Sequence, residues 1–225
     1  MDVTFASEAV VGRFFLIDGL TAAVLLGIWY VWFMRYNRRK GTTVLRWVQS
    51  ACADKGWLLE SHWVGTSLLQ AKLHLPSRWF GDARLTVRLL PRTIPAQWII
   101  SRWRKQKETL SFEADLDCAP AFQLDVFNHR WCGRSRRKNR SSEWNAYRPG
   151  PVVLTTREEW AHELTPVLNA LVASQEKNFL SVRFCPDSPH FSATVALETL
   201  ADQESAAAVL GVLRELAAGA SAKQL

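Results

Sequence analysis

Residues 14–34 read FFLIDGLTAAVLLGIWYVWFM, 21 residues with a single charge at Asp18. A helix of that length is roughly 30 Å long at about 1.5 Å per residue, which matches the hydrocarbon core of a bilayer, and it satisfies its own backbone groups there. Asp18 lies one turn inside the outer end, where a carboxylate reaches the headgroups more cheaply than at the centre. Trp29, Tyr30, Trp32, Phe33 and Tyr36 crowd the other end, as amphipathic rings do at a membrane interface. Arg35, Arg38, Arg39 and Lys40 follow at once, whereas the first thirteen residues offer only Arg13 against Asp2 and Glu8. The bias of basic residues predicts a single span with residues 1–13 outside, a basic tether over 35–41, and the remainder in the cytoplasm.

Two other uses of such a run fit less well. A cleaved secretory signal carries its basic residues before the apolar stretch and small residues after it; here the charges follow and the exit is bulky and aromatic. A core helix that is apolar all round needs a large protein to bury it, and only about 185 residues remain. Cys52, Cys118, Cys132 and Cys185 are scattered and form no CxxC pair, in keeping with thiols in a reducing compartment. Cys52 and Cys118 fit small buried hydrophobes.

The soluble part shows two periods. Thr42 or Thr43 is positioned to cap a helix over VLRWVQSACADK, with Val44, Leu45, Trp47, Val48 and Ala51 on one stripe and Gly56 as its stop. Strands are predicted at 57–64 and 68–75 around a Gly65-Thr66-Ser67 turn, and at 83–90, where Leu85, Val87 and Leu89 alternate with Arg84, Thr86 and Arg88. Pro91 and Pro95 leave PAQWIISRWRKQK ambiguous between a short helix and an edge strand. Leu110, Phe112, Ala114 and Leu116 alternate with Glu113, Asp115 and Asp117, and Phe122, Leu124 and Val126 follow Pro120, which predicts a second hairpin. A polar loop over 129–150, a strand at 151–155 and a helix from Thr156 come next, then a hairpin from 179–184 and 191–197, then an amphipathic helix over about 203–217. Helix-strand-strand thus occurs at 43–75 and at 157–198. The pattern predicts one α+β domain over 42–225, an antiparallel sheet with about three flanking helices.

Charge is unevenly distributed. The chain is +7, yet residues 35–150 hold 22 basic against 9 acidic residues, and residues 151–225 hold 5 against 9. Three clusters contain 14 of the 28 basic residues: Arg35, Arg38, Arg39 and Lys40; Arg102, Arg104, Lys105 and Lys107; and Arg130, Arg134, Arg136, Arg137, Lys138 and Arg140. A tethered domain has the anionic inner leaflet as its nearest polyanion, where each Lys or Arg near the surface contributes about 1 kcal/mol within roughly one Debye length. Nucleic acid is a second anionic partner, since arginine and tryptophan hold phosphates and stack on bases, but no known nucleic-acid motif accompanies these charges. The plain alternative is a solvated face. The acidic last third offers itself to a protein partner, and Gly19, Ala23 and Gly27 form a small-residue face that ordinary helix composition also produces.

Catalytic and metal motifs are thin. Glu113, Asp115, Asp117 and Asp125 are raw material for a hard cation, although pairing with Arg84 and Arg88 is the commoner outcome. Cys118, His129 and Cys132 supply three conceivable zinc ligands and lack a fourth, and Glu159 with His162 has no second Glu-x-x-His. Asp187, His190 and Ser192 crowd one turn and strand, where nucleophile, base and orienter do not converge. No cofactor motif is present: neither a P-loop nor a G-x-S-x-G occurs. The expectation is a binding module; its rival is a membrane-bound hydrolase or transferase built from distant residues.

Overall fold

The computed structural model describes residues 3–52, 57–74, 80–117, 119–120, 123–128, 145–147, 152–156 and 179–221. The fold is α+β. Helix α1 (Val3–Cys52) is continuous through the apolar run and the basic segment and on into the domain. Its stretch from Leu16 onward is long and apolar enough to cross a membrane, with none of the most apolar window buried. The helix start expected at Thr42 or Thr43 is absent, because their hydroxyls turn back instead. Thr42 Oγ1 donates to the Arg38 and Arg39 carbonyls and Thr43 Oγ1 to Arg39, each at 2.9 Å. A hydroxyl satisfied within its own helix has no need to cap a new one. Gly41, which costs about 1 kcal/mol relative to alanine in a helix, sits where Trp63 presses on α1. A Cβ there would lie 2.7 Å from the indole.

Nine strands among the described residues form one antiparallel sheet: β1 (Trp57–Val64), β2 (Leu68–His74), β3 (Phe80–Arg88), β4 (Thr109–Leu116), β5 (Leu124–Asn128), β6 (Asn145–Tyr147), β7 (Val152–Thr156), β8 (Phe179–Phe184) and β9 (Phe191–Ala196). Their order is β1-β2-β3-β4-β9-β8-β5-β7-β6. The β1–β2 and β8–β9 hairpins match the sequence pattern, the first turning at Gly65 with φ +70°. The expected β4–β5 hairpin does not form. The β8–β9 hairpin inserts between the two strands, with β9 pairing β4 from Leu110↔Val195 to Ala114↔Phe191 and β8 pairing β5. That register aligns apolar residues across both seams, and the connection containing Pro120 is too long for a tight turn. The ambiguous segment after Pro91 becomes α2 (Pro95–Trp103), with proline in its first turn and Lys105 left-handed just past its end.

One sheet face is dry. Leu69, Leu85, Phe112, Phe191, Val182 and Leu124 line it, strand by strand, under two helices. These are the last turns of α1, through Val44, Val48 and Cys52, and α3 (Gln203–Ser221), through Val209, Leu213 and Leu216. Phe112 lies at the centre, its ring 5.4 Å from Phe80 and 6.2 Å from Phe191. Asp202 starts α3: its carboxylate accepts from Ser205 N–H at 2.8 Å while Ser205 Oγ accepts from Asp202 N–H at 3.1 Å, a reciprocal cap. The opposite face is polar, and one register row runs Glu60, Lys72, Arg84, Glu113, Ser192, Arg183 and Asp125. Thr156, expected to start a helix, is the last residue of β7; the rest of that expected helix, and the 129–150 loop apart from β6, lie outside the described residues.

Phe112→Ala removes the ring at the middle of the core, and we expect a loss of about 3–5 kcal/mol in unfolding free energy, measured by denaturant titration of the full chain in mild detergent. A loss below 1 kcal/mol would mean that the core is not closed around this ring.

Candidate functional site

The face of α1 that meets the domain begins before the basic segment. Trp29, Phe33, Asn37, Gly41, Val44, Val48 and Cys52 recur at spacings of three or four, so they form one stripe down the helix. At Asn37 this stripe turns polar. The side chain is fully buried, its amide donating to the Thr66 carbonyl at 3.1 Å and to the Leu90 carbonyl at 3.2 Å. Its oxygen accepts from Arg92 Nη1 at 3.3 Å. One turn on, Lys40 Nζ lies 2.5 Å from Glu108 Oε2. Glu108, buried at the entry to β4, also accepts from Arg92 Nη1 at 2.7 Å and from Leu90 N–H at 3.2 Å through Oε1.

The loop between β3 and α2 closes the joint. The Arg92 carbonyl accepts from Trp29 Nε1 at 2.9 Å, its guanidinium lies 5.0 Å from the Tyr36 ring centre, and the Thr93 and Thr66 hydroxyls meet at 2.9 Å. Burial alone would push the Glu108 carboxyl up; the Lys40 hydrogen bond, the Arg92 charge and the Leu90 N–H outweigh it and hold the pKa below the ordinary glutamate value. Every polar side chain named in this cluster has a partner. Chemically the cluster is a brace that fixes the basic end of α1 to the sheet.

Around the brace the basic residues divide. Lys40 is engaged by Glu108, and Lys107 pairs with Glu198 at 2.7 Å. Arg35, Arg38 and Arg39 are exposed on α1, and Arg102, Arg104 and Lys105 are exposed on and just past α2. α2 meets α1 through rings: Trp98 is 6.0 Å from Trp29 and 6.5 Å from Phe33 between ring centres. Arg102 lies 5.9 Å from the Trp98 ring centre, so α2 brings at least this cation to the end of the apolar run, while Arg35 and Arg39 line another face of α1. A groove of about 550 Å³ along α1 runs from Gly27, Ile28 and Val31 to Arg35 and Arg39, apolar at one end and cationic at the other. Arg130, Arg134, Arg136, Arg137, Lys138 and Arg140 lie outside the described residues.

The remaining candidates dissolve into ordinary contacts. Glu113 stands opposite Arg84 in the register, as expected, but Arg88 faces Thr109. Asp125 is held by Arg183, with Nε to Oδ1 at 2.7 Å and Nη2 to Oδ2 at 3.3 Å, and β9 and β8 separate it from β4. The imagined four-carboxylate cation site is thereby split. Among the described residues no group of three or more His, Cys, Asp or Glu side chains is arranged to hold a metal. Cys118, His129, Cys132, Glu159 and His162 lie outside them. Asp115, Ser188 and His190 do come together, but Ser188 Oγ donates to Asp115 at 2.7 Å, and His190 Nδ1 faces the Leu116 backbone at 3.1 Å from its nitrogen. The serine is thus bonded to the carboxylate rather than to the imidazole, the wrong order for a nucleophile. Burial pushes the Cys52 thiol up, away from the thiolate that reacts.

Asn37, Arg92 and Glu108 are the residues of this cluster that periodicity and motif leave out. The signal for Asn37 is its place on the stripe between Phe33 and Gly41. Nothing local marks Glu108, whose partners lie far along the chain.

Glu108→Ala strands Lys40 and Arg92, and we expect a loss of about 3 kcal/mol, at the low end for a broken buried pair because Lys40 is partly exposed. Because its pKa is lowered on folding, Glu108 contributes stability that is full above the unfolded value, about 4.3, and fades as pH falls through the folded one. Glu108→Gln should flatten the stability profile in that acid window and leave its slope near neutral pH unchanged; denaturant titrations from pH 3 to 7 test this. A fragment beginning at residue 42 loses Asn37 and Lys40 and should melt ~6–12 °C below one beginning at 35, as circular dichroism can show. No protein-family model matches the chain, and a search of curated proteins gives no match, so the geometry of this site alone carries the functional reading.

Proposed function

We propose that this chain is a single-pass membrane protein whose α+β domain acts as a binding module at the inner membrane surface. In this reading residues 14–34 cross the bilayer, residues 1–13 stay outside, and residues 42–225 form the cytosolic domain. The observation that carries it is the continuity of α1 through the brace. A helix that runs unbroken from the apolar run to Asn37, Lys40 and Val44 holds the domain at a set height below the lipid. A cleaved signal fits poorly, since cleavage at the exit would remove Trp29 and Phe33 from their contacts with Trp98 and the Arg92 carbonyl.

At that height Arg35, Arg38, Arg39, Arg102, Arg104 and Lys105 lie within reach of anionic headgroups, each contributing about 1 kcal/mol and decaying over roughly 10 Å at ordinary salt. Lys40 and Lys107 serve the fold instead. The acidic last third of the chain is left for a protein partner in the cytosol.

Two measurements test this. A reporter fused after residue 225 should sit in the cytoplasm. In nanodiscs holding the full chain, amide exchange over residues 102–107 should be slower with anionic than with zwitterionic lipid, and high salt should remove the difference. A reporter outside the cytoplasm overturns the orientation, and exchange indifferent to lipid charge overturns the headgroup contact.

A further inference from the structure

The surface of α2 is unusual for a helix facing water. Trp98 and Ser101 turn inward, the first against Trp29 and Phe33, the second buried. At 100° per residue, Ala96, Ile99, Ile100 and Trp103 fall on a single stripe on the opposite side. All four are exposed, Trp103 by 85%, and Ile94 just before the helix is also exposed. Arg102 and Arg104 flank the stripe, and Lys105 follows the helix. An apolar stripe with a tryptophan at one end and cations beside it has the composition of a helix that lies in a membrane interface.

Its position agrees. α2 touches α1 at Trp29 and Phe33, on the apolar side of the brace at Asn37 and Lys40, so it is an end of the domain close to the apolar run. Trp29 precedes Arg35, the first cation after the run, by six residues, about 9 Å of helix. Interfacial helices sit about 5–10 Å into the boundary between headgroups and acyl chains, at that same depth.

We infer that α2 is a second membrane contact, a short interfacial helix that sinks Ile99, Ile100 and Trp103 into the cytoplasmic leaflet beside the exit of α1. The inference rests on the single-span reading and adds to it a second apolar anchor. The occupant is lipid rather than protein, because α2 lies beside the apolar run at Trp29 and Phe33 and cations border its stripe. With the span fixing depth and α2 fixing rotation about it, one azimuth of the domain faces the membrane.

The test uses the full chain in vesicles of phosphatidylcholine and phosphatidylglycerol, with the photoreactive residue benzoylphenylalanine placed singly at positions 25, 72, 100 and 103. Positions 100 and 103 are exposed, so the probe does not disturb the core, and Lys72 on the polar sheet face reports water. We expect lipid adducts at 100 and 103 as at 25, roughly tenfold above those at 72. Adducts at 25 without adducts at 100 and 103 overturn the role of α2 and leave the span intact. Absence of adducts at 25 overturns the span itself. Crosslinks from 100 or 103 to a second copy of the chain overturn the lipid assignment in favour of self-association.

Discussion

The buried cluster of Asn37, Arg92 and Glu108 decides what the rest of the molecule can be. A hydrogen bond between exposed groups contributes little, but a buried amide or carboxylate left without a partner costs about 1–3 kcal/mol and more when charged. The cluster is therefore either complete or badly broken, with little between. Its members come from α1, from the loop after β3 and from the start of β4, so completing it fixes a helix against a sheet. A linker of the same length made of solvated arginines would have left the two parts free to turn. Here they form one body, and the apolar run inherits its direction from the sheet.

Much of the sheet was legible because burial on one face imposes a period of two. The alternation of Leu110, Phe112, Ala114 and Leu116 with Glu113, Asp115 and Asp117 predicts β4 and its inward face, and burial follows it residue by residue along the strand. Hairpins whose turns are short were legible too. The pairing of β4 with β9 was not, since a strand's partner is chosen by register and by the apolar match across the seam, and neither is written near the strand. The seam from Leu110↔Val195 to Ala114↔Phe191 joins residues about eighty positions apart. The helix start expected at Thr42 or Thr43 is absent for a local reason. Threonine is as able to bond back to the preceding turn as to cap a new one, and the stripe running from Phe33 through Asn37 and Gly41 to Val44 was the better guide.

The candidate site was legible only as charge. Arg38 and Lys40 look alike in a basic run, yet one is exposed and the other faces a carboxylate 68 positions away. Lys107 likewise meets Glu198 across 91 positions. Composition measures the field that a segment can produce; it does not say which cations the fold uses internally. That division matters for the surface, because a lysine already paired with a buried glutamate contributes little to attracting anything else.

Rigidity then gives the exposed cations a meaning that their number does not. Around a flexible tether, six basic residues would raise the time-averaged density of anions near the domain and nothing more. Held by the brace, Arg35, Arg38 and Arg39 keep a constant spacing from the apolar run, and the Trp98 contact with Phe33 holds Arg102 near that run's end. The wet sheet face, with Arg183 bonded to Asp125 and Ser111 to Thr194, is then presented at a constant angle to the same helix. In a single-span protein a partner reaching that face meets it in one orientation and at one height, so the entropy of orienting the domain is lost on folding and not again on binding.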